Sequence, residues 1–325
     1  LIEIYISCNK RQIYCMTRTI LVTGCNGQIG SKVMIGLKNS MILKLKDHDI
    51  NIKKVIGLDN KKVANPDYEF IKCDLLNQAE IVKTKLKFDK IDTLVHLASI
   101  VETSKNIKDA EDIIKLNVFS AINIINTLPK LKHIVFPSSM MVYGKPQKSP
   151  INELHSTKPI NLYGISKLLT EDVIRIYGLN RPGLKVSILR LTSIYGPGNY
   201  SGKSSKRAIP NFIQLAKQNK NPIIFGSVNE KRDYLYIDDA VDAIIKTIEN
   251  PFDGNINIGS EKSVTIKELA ELICSLCNSK AKPIIENENL AKDDYLLDIS
   301  KAKQLIGFRP TFLLEAGLKK EISNF

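Results

Sequence analysis

The chain has 325 residues, 43% of them hydrophobic and 25% charged, the balance of an ordinary soluble globular protein with one large or two modest domains. No apolar run approaches the ~18–20 residues needed to span a bilayer, so no membrane partner is expected. The formal charge of +13 suits acidic ligands, nucleotides included, but the lysines are spread along the chain and not packed into one block. That favours a solvated surface over dedicated nucleic-acid binding.

Leu1 to Cys15 carries neither an apolar signal-type stretch nor a small-residue cleavage site, and the first strand pattern begins just after Met16. Residues 1–15 are therefore expected to stand outside the fold. Thr19-Ile20-Leu21-Val22-Thr23 reads as a buried strand, Gly24-Cys25-Asn26-Gly27-Gln28-Ile29-Gly30 as a glycine-rich turn, and Ser31 to Leu37 as a helix. Strand, glycine turn and helix in that order form the setting of a dinucleotide site. The first glycine permits the turn, the second lets backbone N–H groups approach a pyrophosphate, and the third lets helix pack on strand.

Val55 to Asp59 is a second strand ending in an acid. A carboxylate there can accept hydrogen bonds from ribose hydroxyls and would repel a 2′-phosphate, which favours NAD over NADP. Lys61 and Lys62 just beyond pull the other way, and the bland alternative is a surface Asp in a turn. Phe70 to Leu75 is a third strand, with Asp74 placed to meet an adenine edge, and Thr93 to Ala98 is a fourth. His96, at an apolar strand end, reads as structural. Asn117 falls inside a helix pattern, as either a core polar residue or a lining residue near the nicotinamide.

Lys132 to Phe136 is a fifth strand and leads into Ser138-Ser139-Met140-Met141-Val142-Tyr143-Gly144. Asn161 to Tyr177 reads as a helix in which Tyr163 and Lys167 lie one turn apart and reach one face. A phenol normally titrates near ~10, and a neighbouring ammonium is expected to bring it towards the working range. Ser139 could then hydrogen-bond the oxygen that gains or loses the proton. Tyr and Lys at this spacing also occur on ordinary helix faces, so the set gains its meaning from the rest of the chain.

Val186 to Arg190 is a sixth strand; strands alternating with helices predict an α/β fold, a Rossmann-type doubly wound parallel sheet. After Ile194-Tyr195-Gly196-Pro197-Gly198 the character changes, and Asn199 to Arg207 reads as a mobile polar loop. Helices are expected at Ile209 to Asn219 and Ile237 to Ile248, short strands at Pro222 to Phe225 and Asn255 to Gly259. Thr265-Ile266-Lys267-Glu268 has the capping-box pattern of a helix start, and Asp298-Ile299-Ser300 caps a short helix ending near Gly307. The six cysteines are scattered, which fits a reducing cytoplasm. Cys274 and Cys277 have a metal-like spacing without a second pair, so they read as buried thiols and no metal is expected.

Taken in order, these motifs resemble the extended short-chain dehydrogenase/reductases, specifically the NAD-dependent epimerase/dehydratase group acting on nucleotide sugars. The resemblance runs from about Thr17 to Leu318. It rests on Gly24-x-x-Gly27-x-x-Gly30, Asp59-Asn60, Cys73-Asp74-Leu75, His96-Leu97-Ala98, Ser138-Ser139, Val142-Tyr143-Gly144, Tyr163-Gly164-x-Ser166-Lys167, Tyr195-Gly196-Pro197-Gly198 and Arg232-Asp233-Tyr234. It implies a Rossmann domain over 17–192, to which 233–260 returns, and a smaller mixed C-terminal substrate domain mainly over 193–325. It implies Tyr163 as acid/base, Lys167 as the residue that tunes it and binds nicotinamide ribose, and Ser139 as the group orienting the reacting hydroxyl. NAD would lie against Gly24, Asn26, Gly27, Gln28, Ile29 and Gly30, against Asp59, Asn60, Asp74 and Leu75, and against Leu97, Ala98 and Asn117. Ser193 and Arg232 would meet the substrate, Arg232 through its diphosphate; the structural alternative for Arg232 is an ion pair with Asp233.

Two departures bear on activity. Relatives that dehydrate or decarboxylate carry an acid between the catalytic hydroxyl and the Val/Met-Tyr-Gly, where Met140 and Met141 stand here, so water elimination lacks a proton source. Many epimerases have Asn where Ser193 stands. The expected activity is C4 epimerisation of a nucleotide sugar, a UDP-hexose, by a homodimer formed through Ser104 to Leu128 and Asn161 to Tyr177. The rivals are a 4-keto nucleotide-sugar reductase using external NAD(P)H and, further off, a dehydratase or a non-catalytic NAD- or RNA-binding module.

Overall fold

The structure, a computed structural model, describes residues 16–39, 42–44, 49–63, 66–84, 88–101, 110–198, 207–225, 227, 229–286 and 294–325. The expectations for 1–15 and for the loop at 199–206 lie outside these residues. In chain order the first half runs β1 (Met16–Thr23), α1 (Gln28–Asn39), β2 (Ile42–Lys44), β3 (Asp49–Asp59), β4 (Glu69–Lys72), α2 (Gln78–Thr84) and β5 (Thr93–His96). One continuous helical rod comes next, made of α3 (Ala110–Ile114), a π-helical turn at Lys115–Phe119 and α4 (Ser120–Asn126). Then come β6 (His133–Ser139), a 3-10 turn at Met140–Val142, α5 (Leu162–Asn180) and β7 (Lys185–Leu191).

The second half contains β8 (Ser193–Tyr195), α6 (Ala208–Lys217), β9 (Ile223–Phe225), β10 (Lys231–Tyr236), α7 (Ile237–Glu249), β11 (Gly254–Ile258), β12 (Ser263–Thr265), α8 (Ile266–Leu276), β13 (Ile284–Glu286), α9 (Ser300–Ile306) and α10 (Leu314–Ser323). The capping box at Thr265 and Glu268 is formed.

Seven parallel strands build the main sheet in the order β11-β7-β6-β5-β1-β3-β4, and β2 adds antiparallel to the start of β3. Ile20, Leu21 and Val22 are fully buried, and all four residues of β5 and all seven of β6 are buried. Strands covered on both faces need apolar side chains in both directions, which is why they read as runs and not as alternations. Helices α1, α7 and α9 cover one face, and α2, α4 and α5 the other. A separate core joins α6, α8 and α10 around Tyr195 and Tyr236. Within 233–260, α7 and β11 belong to the main sheet, whereas β10 pairs with β8 and β12 in a three-stranded sheet.

Strands β1 and β5 are neighbours, and the strand order runs outward from them in opposite directions. In open α/β sheets the crevice at such a reversal, beyond the carboxyl ends of the strands, is where ligands sit. The glycine turn after β1 and Leu97-Ala98 after β5 both face it.

Candidate active site

The turn after β1 is held by backbone contacts that only glycine allows. Gly24 has a φ of +67°, and a Cβ there would lie 2.7 Å from the Ala98 nitrogen. A Cβ on Gly30 would lie 2.1 Å from the Gly24 carbonyl oxygen, so α1 starts hard against the turn before it. Helix α1 begins at Gln28, three residues before the expected Ser31, so that Gln28, Ile29 and Gly30 are already helical. The first turn of a helix leaves N–H groups without an intrahelical partner, the usual seat of a phosphate. Asp59, at the end of β3, accepts hydrogen bonds from the Asn26 N–H at 3.0 Å and the Lys61 N–H at 3.0 Å, which fastens the turn to the neighbouring strand. Asn60 beside it is exposed.

Asp74 and Leu75 lie just past β4; the Asp74 carboxylate accepts from the Leu76 N–H at 2.9 Å, and Leu75 is buried. On the other side of the crevice, Thr23 Oγ1 accepts from the N–H groups of Leu97 at 3.2 Å and Ala98 at 3.3 Å. His96 is buried between Thr23 and Ser120, with Nδ1 2.9 Å from Thr23 Oγ1 and Nε2 3.3 Å from Ser120 Oγ. Burial, and then the charge of Lys167, bring the imidazole down to about 3. A ring neutral at every working pH is a strut and not a proton carrier.

Asn117 lies in the π-helical turn. Its Oδ1 accepts from the Ile100 N–H at 2.7 Å, and its Nδ2 donates to the Ile100 carbonyl at 3.0 Å and Ser166 Oγ at 2.8 Å. It therefore ties the segment leaving β5 to the helix that carries Tyr163 and Lys167. Thr170 Oγ1 completes the tie with a 3.0 Å hydrogen bond to the Asn117 carbonyl.

Ser139, Tyr163 and Lys167 come together where β6 ends and α5 begins. Asn161 caps α5, accepting from the Gly164 N–H at 2.8 Å. Gly164 sits so close to the Met141 carbonyl that a Cβ would lie 2.5 Å from its oxygen, which draws the first turn of α5 onto the 3-10 turn. The Tyr163 phenol is buried beside Ser139. Lys167 Nζ donates to the Pro137 carbonyl at 3.0 Å and stands 5.8 Å from the Tyr163 ring centroid.

The expected lowering of the phenol by the ammonium is not what the structure has. Burial pushes Tyr163 up to about 12, and the opposing pulls are the charge of Arg207 and the hydrogen bond to Ser139. Burial also brings Lys167 down to about 8, against the pull of Glu171. The reason is depth: both groups are buried at the carboxyl end of β6, where removing water outweighs a single neighbour.

Arg207 is a residue the sequence reading missed. Its Nη1 is 3.4 Å from Gln28 Oε1, and Gln28 Nε2 donates to the Gly196 carbonyl at 2.8 Å. It was hidden in a stretch that read as basic loop; its place just before the Ala208-Ile209-Pro210 start of α6 was the available signal. Ser193 opens β8 and is paired with Tyr234 of β10. Arg232 forms its ion pair with Glu230, and its guanidinium lies 4.8 Å from the Tyr295 ring centroid. The suggested pair with Asp233 does not form. Asp233 is fully buried and turned the other way, accepting from Ser260 N–H at 2.9 Å and Ser260 Oγ at 2.7 Å.

Cys25, Cys73, Cys274 and Cys277 are free thiols, and among the described residues no cluster of His, Cys, Asp and Glu could hold a metal ion. No described helix is long and apolar enough to cross a membrane.

The pattern of the NAD dependent epimerase/dehydratase family matches residues 20–259. The chain belongs to that family. It is 30% identical to a putative UDP-glucose 4-epimerase of Methanocaldococcus jannaschii over 94% of this chain and 97% of that one. It is 32% identical to the dTDP-4-dehydro-6-deoxyglucose reductase of Escherichia coli over 94% and 96%. Among solved structures, the UDP-glucose 4-epimerase of Thermotoga maritima with UDP-glucose superposes with a TM-score of 0.82 at 26% identity, covering 94% of this chain and 98% of that one. The UDP-glucuronic acid 4-epimerase of Bacillus cereus, in complex with UDP-glucuronic acid and NAD, does so with a TM-score of 0.79 at 26% identity, covering 94% and 98%. The cofactor of this family is NAD, and the bare glycine turn, the helix start and Asp59 fit such a group.

Proposed function

We propose that this member of the epimerase/dehydratase family is a nucleotide-sugar epimerase that inverts C4 of a UDP-hexose. The observation that carries the reading is the convergence of Ser139, buried Tyr163 and Lys167 at the open end of β6, beside the glycine cradle. Bound NAD supplies the acceptor and donor of the hydride at the sugar carbon. Tyr163 takes the proton of the C4 hydroxyl as the carbon gives up its hydride, and returns it to the same oxygen once hydride has been delivered to the other face of the 4-keto sugar. Ser139 holds the sugar oxygen, Lys167 binds the nicotinamide ribose, and the charge of Arg207 together with Ser139 opposes the burial that disfavours the phenolate. Within the cradle, Asn26, Gln28 and Ile29 line the pyrophosphate, Asp59 and Asn60 the adenosine ribose, Asp74 and Leu75 the adenine, and Leu97, Ala98 and Asn117 the nicotinamide side.

Residues 17–192, with 233–260, serve as the cofactor unit in this reading and the remainder of 193–325 holds the substrate. Ser193 and Arg232 meet the diphosphate region, where a guanidinium fork suits phosphate oxygens. Two thioethers, Met140 and Met141, occupy the positions where a dehydratase needs an acid; Met140 is buried and receives a 3.4 Å contact from Thr192 Oγ1. Neither can donate a proton, which speaks against water elimination.

The helical pair formed by the 110–126 rod and α5 leaves Phe119, Ile165, Leu169 and Ile176 exposed by 42–58%. That apolar surface supports the reading of a homodimer packed through these helices, which sedimentation would check.

The test is proton NMR of purified protein with UDP-glucose, UDP-galactose and their N-acetyl forms, one at a time and without added cofactor, with Tyr163→Phe alongside. The C4 epimer is expected with the wild type and not with the variant. Turnover unchanged by Tyr163→Phe would sink the assignment. The second reading, a 4-keto nucleotide-sugar reductase, draws on the 32% identity to such an enzyme. A reductase consumes external NADH or NADPH and is silent in that panel, but acts on a 4-keto sugar nucleotide.

A further inference from the structure

Three turns of α5 grip three consecutive residues of β6. Tyr163 meets Ser139, Lys167 Nζ binds the Pro137 carbonyl at 3.0 Å, and Glu171 accepts from Ser138 Oγ at 2.6 Å. The spacing of four residues along the helix sets these side chains one above another on a single face. They act on a strand end that has lost one neighbour, because the pairing of β6 with β5 stops at Val135. On the other side β6 still pairs with β7, where Ser138 lies opposite Arg190.

Glu171 is fully buried, and Arg190 is 4% exposed. Besides Ser138, the carboxylate accepts from Arg190 Nε at 3.1 Å, Arg190 Nη2 at 2.7 Å and Arg175 Nη2 at 2.8 Å. It thus joins helix α5, strand β6 and strand β7 at one point. A buried ion pair of this kind adds little net stability over a well-packed apolar replacement, because desolvating both charges offsets their attraction. What it provides here is a fixed geometry one residue from Ser139 and one helical turn from Lys167.

We propose that Glu171 is a positioning residue for the reaction: through Ser138 and Arg190 it fixes the strand end bearing Ser139 against the helix bearing Tyr163 and Lys167. This rests on the assignment of those three residues to proton transfer. The groups facing Lys167 are Tyr163 and Glu171 on α5, neutral His96 on β5, the Phe136 ring 4.7 Å away on β6, and Arg190 beyond Glu171 on β7. Among them Glu171 is the charged group that favours the ammonium.

The experiment uses full-length protein carrying Ser138→Ala or Glu171→Gln. Ser138→Ala removes one hydrogen bond and leaves Glu171 paired with both arginines. It is expected to lower kcat about tenfold with KM changed less than twofold, as a small misplacement of reacting groups does. Amide hydrogen exchange across 137–142 should speed up several-fold. Glu171→Gln should also move the alkaline limb of the pH profile to lower pH by about one unit, as loss of a charge one turn from the ammonium does. Wild-type kcat and exchange in Ser138→Ala would overturn the proposal. So would losses in both variants that merely track the folded fraction, with the pH profile unmoved. If the wild type converts no nucleotide sugar, the functional reading has failed, and the exchange measurement still decides whether Ser138 and Glu171 pin the strand.

Discussion

Replacing Gly30 with Ala isolates the contact that lets α1 approach the glycine turn. The new Cβ would lie 2.1 Å from the Gly24 carbonyl oxygen and 2.9 Å from the Cys25 Cα, where ordinary contact begins at 3.4 Å. Both obstacles are main-chain atoms, so helix and turn must part by about 1.3 Å, the difference between the first and last of those distances. Overpacking of this kind costs about 1–3 kcal/mol, and the displaced N–H groups are those assigned above to the pyrophosphate. Gly36→Ala in the same helix is the control. Its Cβ would meet the Ile245 Cδ1 at 2.7 Å, the mobile tip of a side chain, and Val241 Cγ1 at 3.5 Å. There the helix-propensity gain of about 1 kcal/mol offsets the adjustment. NAD retained after gel filtration and the melting temperature provide the assay. Gly30→Ala should melt several degrees lower and lose most of its NAD, while Gly36→Ala stays within a degree or two of the wild type. A Gly30→Ala protein with wild-type NAD content and melting temperature would refute the claim that close backbone approach is what this glycine supplies.

Two further predictions concern pH. Burial raises Asp233 from its ordinary range to about 6, against the bonds from Ser260 and Leu297. A carboxyl raised on folding contributes stability that is complete below about pH 4 and disappears as pH rises through about 6, on the order of 3 kcal/mol for this shift. Urea midpoints measured from pH 4 to 7 should show that slope in the wild type, and Asp233→Asn should flatten it; an unchanged slope in the variant would reject the assignment. Lys167, brought down to about 8 chiefly by burial, loses its charge as pH rises through that value. The value of kcat/KM should therefore fall on the alkaline side near pH 8, and a profile flat to pH 10 would mean that the ammonium is not needed.

The parts of the molecule that were legible in the sequence share a physical cause. Strands β1, β5, β6 and β7 are buried on both faces, so they appear as apolar runs between glycine and polar breaks. The glycine spacing and the pair Tyr163 and Lys167 are local, and local spacing survives in sequence. Strands β2, β12 and β13 were missed because each is three residues long and lies at or near an edge, where burial writes no pattern. Helix α10 was missed for another reason: its contacts are a long way off in sequence, with Gly317 against Tyr195 and Tyr236. Glu171 carried the right spacing from Lys167, yet its partners at 138 and 190 are joined to it only by the fold. The direction of the Tyr163 shift went the same way, because a neighbour four residues off is visible in sequence and the depth of burial is not.

Relatives of similar identity bear an epimerase and a reductase name. On the proposed function, epimerisation and reduction both pass through a 4-keto nucleotide sugar and draw on Ser139, Tyr163 and Lys167 at the end of β6. They differ in the fate of the cofactor: an epimerase keeps it while the sugar turns over, and a reductase exchanges it. Retention depends on how tightly the crevice between β1 and β5 is closed over the dinucleotide. In this chain Gln28 bridges that crevice to the Gly196 carbonyl, and Gly198 approaches so closely that a Cβ would lie 2.4 Å from the Gln28 side chain. On the proposed function, a closure made by the second segment of the chain against the first would hold the cofactor between turnovers. That is why turnover without added cofactor, and not the presence of Ser139, Tyr163 and Lys167, is the observation that separates the two activities.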